Sequence, residues 1–69
     1  MHFPIYELIE VTGISTTSME DAVERAVAHT THLVKKPRWF QVTETRGSIE
    51  KGHVHQWQVT LKIGHDVAD

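Results

Sequence analysis

The 69-residue chain has no cysteine, only two prolines and few aromatic residues, at 7%. Without thiols it has no disulfide staples, no Fe–S cluster and no thiolate zinc site. Basic charge is also scarce, with seven Lys+Arg against nine Asp+Glu and a net charge of −2. That is the wrong balance for a protein whose affinity for nucleic acid rests on counterion release. No apolar run approaches the roughly 20 residues of a membrane span, and Met1-His2-Phe3-Pro4-Ile5-Tyr6-Glu7 offers neither a basic n-region nor an apolar h-region. The expectation is a cytoplasmic chain with no nucleic-acid or membrane partner. Linkers and internal repeats are missing too, so residues 1–69 read as a single domain. A chain this short hides only about 60% of its unfolded surface. Partner subunits are the expected source of the missing burial.

What is present reads as β-α-β-β, an α+β protomer in which a three-stranded antiparallel sheet packs on one helix. Ile5 to Val11 is rich in β-branched and aromatic residues and stops at Thr12-Gly13, which predicts a first strand. Ile5, Ile9 and Val11 share one of its faces, Tyr6 and Leu8 the other, so both sides ask for cover. The hydroxyl-rich Ser15-Thr16-Thr17-Ser18 supplies N-cap candidates. Met19, Ala22, Val23, Ala26, Val27, Thr30, Leu33 and Val34 then keep the rhythm of one amphipathic helix, ended by Pro37. Arg38 to about Ser48 and His53 to about Gly64 predict two further strands joined by a four-residue loop at 49–52.

Parity separates the two faces of this hairpin. Phe40 and Val42 are even, whereas Trp57, Val59, Leu61 and Ile63 are odd, so both sets meet the helix only if even numbers pair with odd ones. The opposite face then carries Trp39, Gln41, Thr43 and Thr45 with Gln56, Gln58, Thr60 and Lys62. A tryptophan among amides and hydroxyls suits either an oligomer anchor or a stacking platform for a planar ligand whose ring edge a nearby amide such as Gln58 would meet.

Three runs carry a family likeness: Glu10-Val11-Thr12-Gly13-Ile14-Ser15; Trp39-Phe40-Gln41-Val42-Thr43-Glu44-Thr45-Arg46-Gly47; and Trp57-Gln58-Val59-Thr60-Leu61-Lys62-Ile63-Gly64. With the spacing from Gly13 to Trp39, they make the chain resemble the dodecins, small bacterial and archaeal flavoproteins, over nearly its whole length. The resemblance implies a protomer that assembles into a hollow homododecamer. It implies flavin binding, with FMN or riboflavin stacked between symmetry-related copies of Trp39 and Gln58 hydrogen-bonded to the ring's polar edge. Glu44 and Arg46 match positions near that site, either as ligand contacts or as an ion pair between neighbours. Coenzyme A and ions are further ligands that the family suggests. Bacterial members continue the last strand as Gly-Phe-Arg, whereas this chain has Gly64-His65-Asp66.

Six histidines raise a metal reading, since His29 and His32 share a helix face and His53 and His55 a strand face. Neither pair is completed by a recognisable third ligand. No grouping of nucleophile, base and orienting group marks an enzyme. The sequence therefore reads as a non-catalytic flavin storage protein, photoprotective through quenching by stacked tryptophan; the alternative is a structural or partner-binding oligomer without flavin.

Overall fold

In the computed structural model, which describes residues 5–67, the elements are β1 (Tyr6–Ser15), α1 (Met19–Thr30), β2 (Pro37–Glu50) and β3 (His53–Asp66). They form one antiparallel sheet of order β1-β3-β2, with the helix on one face. The predicted β-α-β-β architecture is the observed one. Among the described residues no helix is long and apolar enough to cross a membrane.

β1 runs through Gly13 instead of stopping there. A Cβ at this position would overlap the Ala22 carbonyl and stand 3.0 Å from Ala26 Cβ. Gly13 thus marks where the helix crosses closest to the strand, a packing role that resembles a strand end in sequence. Ser18 caps the helix by accepting a hydrogen bond from the Asp21 amide at 3.0 Å. Asp21 in turn accepts from Ser15 Oγ at 2.6 Å and from Arg25 Nε at 2.7 Å, which together hold its carboxyl below the ordinary value, Ser15 contributing most.

The helix ends at Thr30, short of the predicted Val34. There the Thr30 and Thr31 hydroxyls donate to the carbonyls of Val27 and Ala28, each at 2.7 Å, and the chain leaves through hydrogen-bonded turns. The buried core is Ala22, Ala26, Val59, Leu61 and Ile63, flanked by Ile9, Val11, Val23 and Val27. It lies between the helix and the β1–β3 pair. β2 is barely touched by the helix. Phe40 and Val42, expected to meet it, stand on the correct face but remain 50% and 40% exposed.

The β2–β3 hairpin closes on two residues, not four. Lys51 and Gly52 have φ of 52° and 78°, and Glu50 pairs directly with His53. Positive φ at both central positions is the type I′ pattern whose twist matches that of the strands. The long ribbon stretches the protomer to 57 × 19 × 13 Å. Its outer end has a cleft of about 290 Å³ on the helix side, bordered by Met19, Thr45, Gly47, Ile49, Val54 and Trp57. Ile49, at 78% exposure, and Val54, at 54%, are left uncovered.

Candidate functional site

Pairing along β2 changes phase three times. Ile49 and Glu50 pair even with odd; from Ser48 to Glu44 the partners share parity; from Val42 to Trp39 they again alternate. The first irregularity from the turn leaves His55 without a partner on β3 and the second leaves Thr43 without one on β2, so these two offsets cancel; the third leaves Arg38 unpaired beside Trp39. The even–odd rule therefore holds at Trp39 and Gln41 but fails between the bulges. Thr45, expected on the open face, pairs with Val59 on the helix side. Glu44 and Arg46 pair with Thr60 and Gln58, which brings both to the open face. Thr43 uses its hydroxyl to donate to the Thr60 carbonyl at 3.2 Å, tying the bulge down.

The open face consequently has two distinct ends. At one, Trp39 lies over Gly64, its direct partner on β3, with Leu8 of β1 beyond. A Cβ on Gly64 would overlap the indole and stand 2.7 Å from its Nε1. Tyr6 meets the same indole edge-on, at a ring-centroid separation of 5.9 Å and an interplanar angle of 75°. Trp39 remains 41% exposed. Asp66, opposite Tyr6 on the open face, is 3.5 Å from the Arg38 guanidinium. His65 instead takes the helix side, with Nε2 3.9 Å from Glu7. The dipeptide His65-Asp66 thus sends one residue to each face.

The other end is polar. Arg46 Nε donates to Gln58 Oε1 at 2.9 Å, Gln58 Nε2 donates to Gln56 Oε1 at 3.4 Å, and Arg46 Nη1 lies 3.7 Å from Glu44. The arginine fixes the direction of the Gln58 amide, with Oε1 toward Arg46 and Nε2 toward Gln56. All four sequence-predicted residues share this face. The structure brings Glu44, Arg46 and Gln58 together and leaves Trp39 apart. Gly64, under Trp39, is six positions from Gln58 on β3, a distance of about 20 Å at roughly 3.3 Å per residue. The backbone beneath Trp39 is thus separated by most of the strand from the Arg46–Gln58 pair.

Tyr6, Gly64 and the Arg38–Asp66 pair were absent from the sequence-based site. Register alone juxtaposes them with Trp39, although an aromatic in β1 and a glycine in β3 on the tryptophan's face were available as signals. Among the described residues, no three His, Asp or Glu side chains gather as a metal site.

The dodecin family model matches residues 5–68. Dodecin from Thermus thermophilus is 33% identical over 60 residues, 87% of each chain. The structure of dodecin from Streptomyces coelicolor superposes with a TM-score of 0.92 at 39% identity, covering 100% of this chain and 99% of that one. A calcium-chelating dodecin from Mycobacterium tuberculosis, described with a novel calcium-binding site, gives 0.79 at 25% identity, covering 93% and 91%. The β-α-β-β sheet, the match along nearly all the described residues and these relatives place the chain in the dodecin family.

Proposed function

We propose that this protein binds and stores a flavin, FMN or riboflavin, in sites completed between copies of itself. The observation that carries the reading is Trp39: a large indole, 41% exposed, on the sheet face that the helix leaves bare. Its free area suits the flat apolar face of an isoalloxazine. The Gln58 amide and Arg46 guanidinium are the kind of donors that the carbonyl-bearing edge of that ring requires. Because these groups and Trp39 lie about 20 Å apart on one protomer, the donors that meet a ring stacked on Trp39 belong to a neighbouring copy. Glu44 holds Arg46 beside Gln58 in this arrangement.

Self-assembly, in the homododecamer that the family resemblance implies, also answers the exposure of Leu8, Ile14, Phe40, Ile49 and Val54, too much apolar surface for so small a chain to leave in water. The bound ring, covered by indole, is held away from reactants, so the function is storage and sequestration without catalysis; stacking also quenches the excited flavin and gives photoprotection.

Absorbance of the purified protein, mass spectrometry of what it releases and sedimentation of the assembly test the proposal together. A yellow oligomer of about twelve subunits that quenches added FMN or riboflavin is the expected outcome. A colourless protein that leaves the fluorescence of both flavins unchanged would reduce the function to a structural or partner-binding oligomer.

A further inference from the structure

We propose that Gly64 and Tyr6 are positioning residues for Trp39, forming a seat that fixes how far its indole stands above the sheet. The inference deepens the flavin reading and rests on it. The indole occupies the space where a side chain at position 64 would be: a Cβ there would overlap Cε2 and Cζ2 and stand 2.7 Å from Nε1, inside the roughly 3.5–4.0 Å of ordinary carbon contact. Gly64 is buried on the central strand, between β1 and β2, so the backbone beneath the ring is held from both sides. Tyr6 supports a second side of the indole in the edge-to-face arrangement that aromatic quadrupoles favour.

The seat leaves one part of the indole for a ligand and determines its height. Where two copies present their indoles to the same stack of flat rings, the gap between them is set twice, once by each seat. A methyl group at position 64 would lift each indole by about 1 Å to restore normal contact. Each lift narrows the space left for the rings by the same amount. Loss of the Tyr6 ring has a different effect, freeing the indole to tilt without raising it.

FMN titrations by fluorescence quenching on the assembled protein, for Gly64→Ala, Tyr6→Ala and Tyr6→Phe, together with a crystal structure of Gly64→Ala, test this. The expected results are an indole displaced from β3 and FMN binding at least tenfold weaker in Gly64→Ala, with an unchanged elution volume. Tyr6→Ala should weaken binding several-fold, while Tyr6→Phe, which keeps the ring, should match the wild type. An indole unmoved in Gly64→Ala, or moved without loss of affinity, overturns the proposal, as does wild-type affinity in Tyr6→Ala. If Gly64→Ala does not assemble, the contrast between the two Tyr6 variants decides. Should the wild type bind neither FMN nor riboflavin, the flavin reading falls, whereas the indole position in Gly64→Ala crystals still judges the seat.

Discussion

Replacing Trp39 by alanine removes the surface on which the proposed ligand stacks, together with its contacts to Tyr6 and Gly64, but leaves the core under the helix intact, because the helix does not cover this side chain. A fully exposed Trp presents roughly 250 Å², and 41% of the residue is exposed in the protomer. That leaves on the order of 100 Å² for a ring to cover, worth roughly 2.5 kcal/mol at about 25 cal/mol per Å². The aromatic geometry adds about 0.5–1.5 kcal/mol. These figures are upper values, since a flavin can slide to recover part of the contact. Half of their sum is still above the 1.4 kcal/mol that corresponds to tenfold. Trp39→Ala should therefore weaken flavin binding by at least about tenfold in an oligomer of unchanged size. Trp57→Ala provides the contrast, since Trp57 sits half-buried on the helix side between Ser15 and Gly47. Its loss should damage folding or assembly. Flavin fluorescence titrations of both variants, with size-exclusion profiles, make the measurement. Wild-type affinity in an intact Trp39→Ala oligomer would refute the stacking role and the function built on it.

Asp66→Arg removes the carboxylate paired with Arg38 and puts a cation on the Trp39 face; it should tighten FMN relative to riboflavin, and equal changes for both ligands in calorimetry would exclude contact with the phosphate. The elongated shape and five-residue buried core imply that no stable monomer folds alone, so dissociation and loss of circular dichroism should coincide on dilution. A folded species near 7.9 kDa in sedimentation would contradict this. The Asp21 carboxyl, held low by Ser15 and Arg25, contributes stability above its unfolded-state pKa that is lost as pH falls through the lower folded-state value. Asp21→Asn should lower stability at neutral pH and flatten the acid side of a melting-temperature profile; an unchanged acid limb would show that the bonds to Asp21 carry no linkage.

Period and capping residues made the elements legible. The hydroxyl-rich stretch ending in Ser18 announced the helix start, and the alternation of Val59, Leu61 and Ile63 identified the buried side of β3. The correct facing of Trp39 was obtained from a loop of the wrong length: a two-residue turn also pairs even with odd, and the two bulges restore that phase beyond Val42. Thr45 shows what the pattern could not carry. A bulge at Thr43 depends on cross-strand pairing, and no glycine or proline marks it. The helix end at Thr30 was hidden for a similar reason, as apolar residues keep their spacing into Leu33 and Val34 while the threonine hydroxyls take the carbonyls. Chemistry of the site was visible as residue types on one face. Its division into two distant ends was not, because that distance exists only once register is known.

Gly13 has a consequence for the choice among alternative pairings. Sliding β1 by one residue against β3 would exchange its two faces, which the apolar pattern forbids. Sliding it by two keeps every residue on its own face, so patterning alone cannot reject that error. The Ala22 carbonyl can. In either two-residue slip, Val11 or Ser15 would arrive beneath it, where even a single Cβ overlaps the oxygen. The glycine thus works as a locating notch, admitting the helix at one setting of the strand and turning a repetitive sheet into one with a single address.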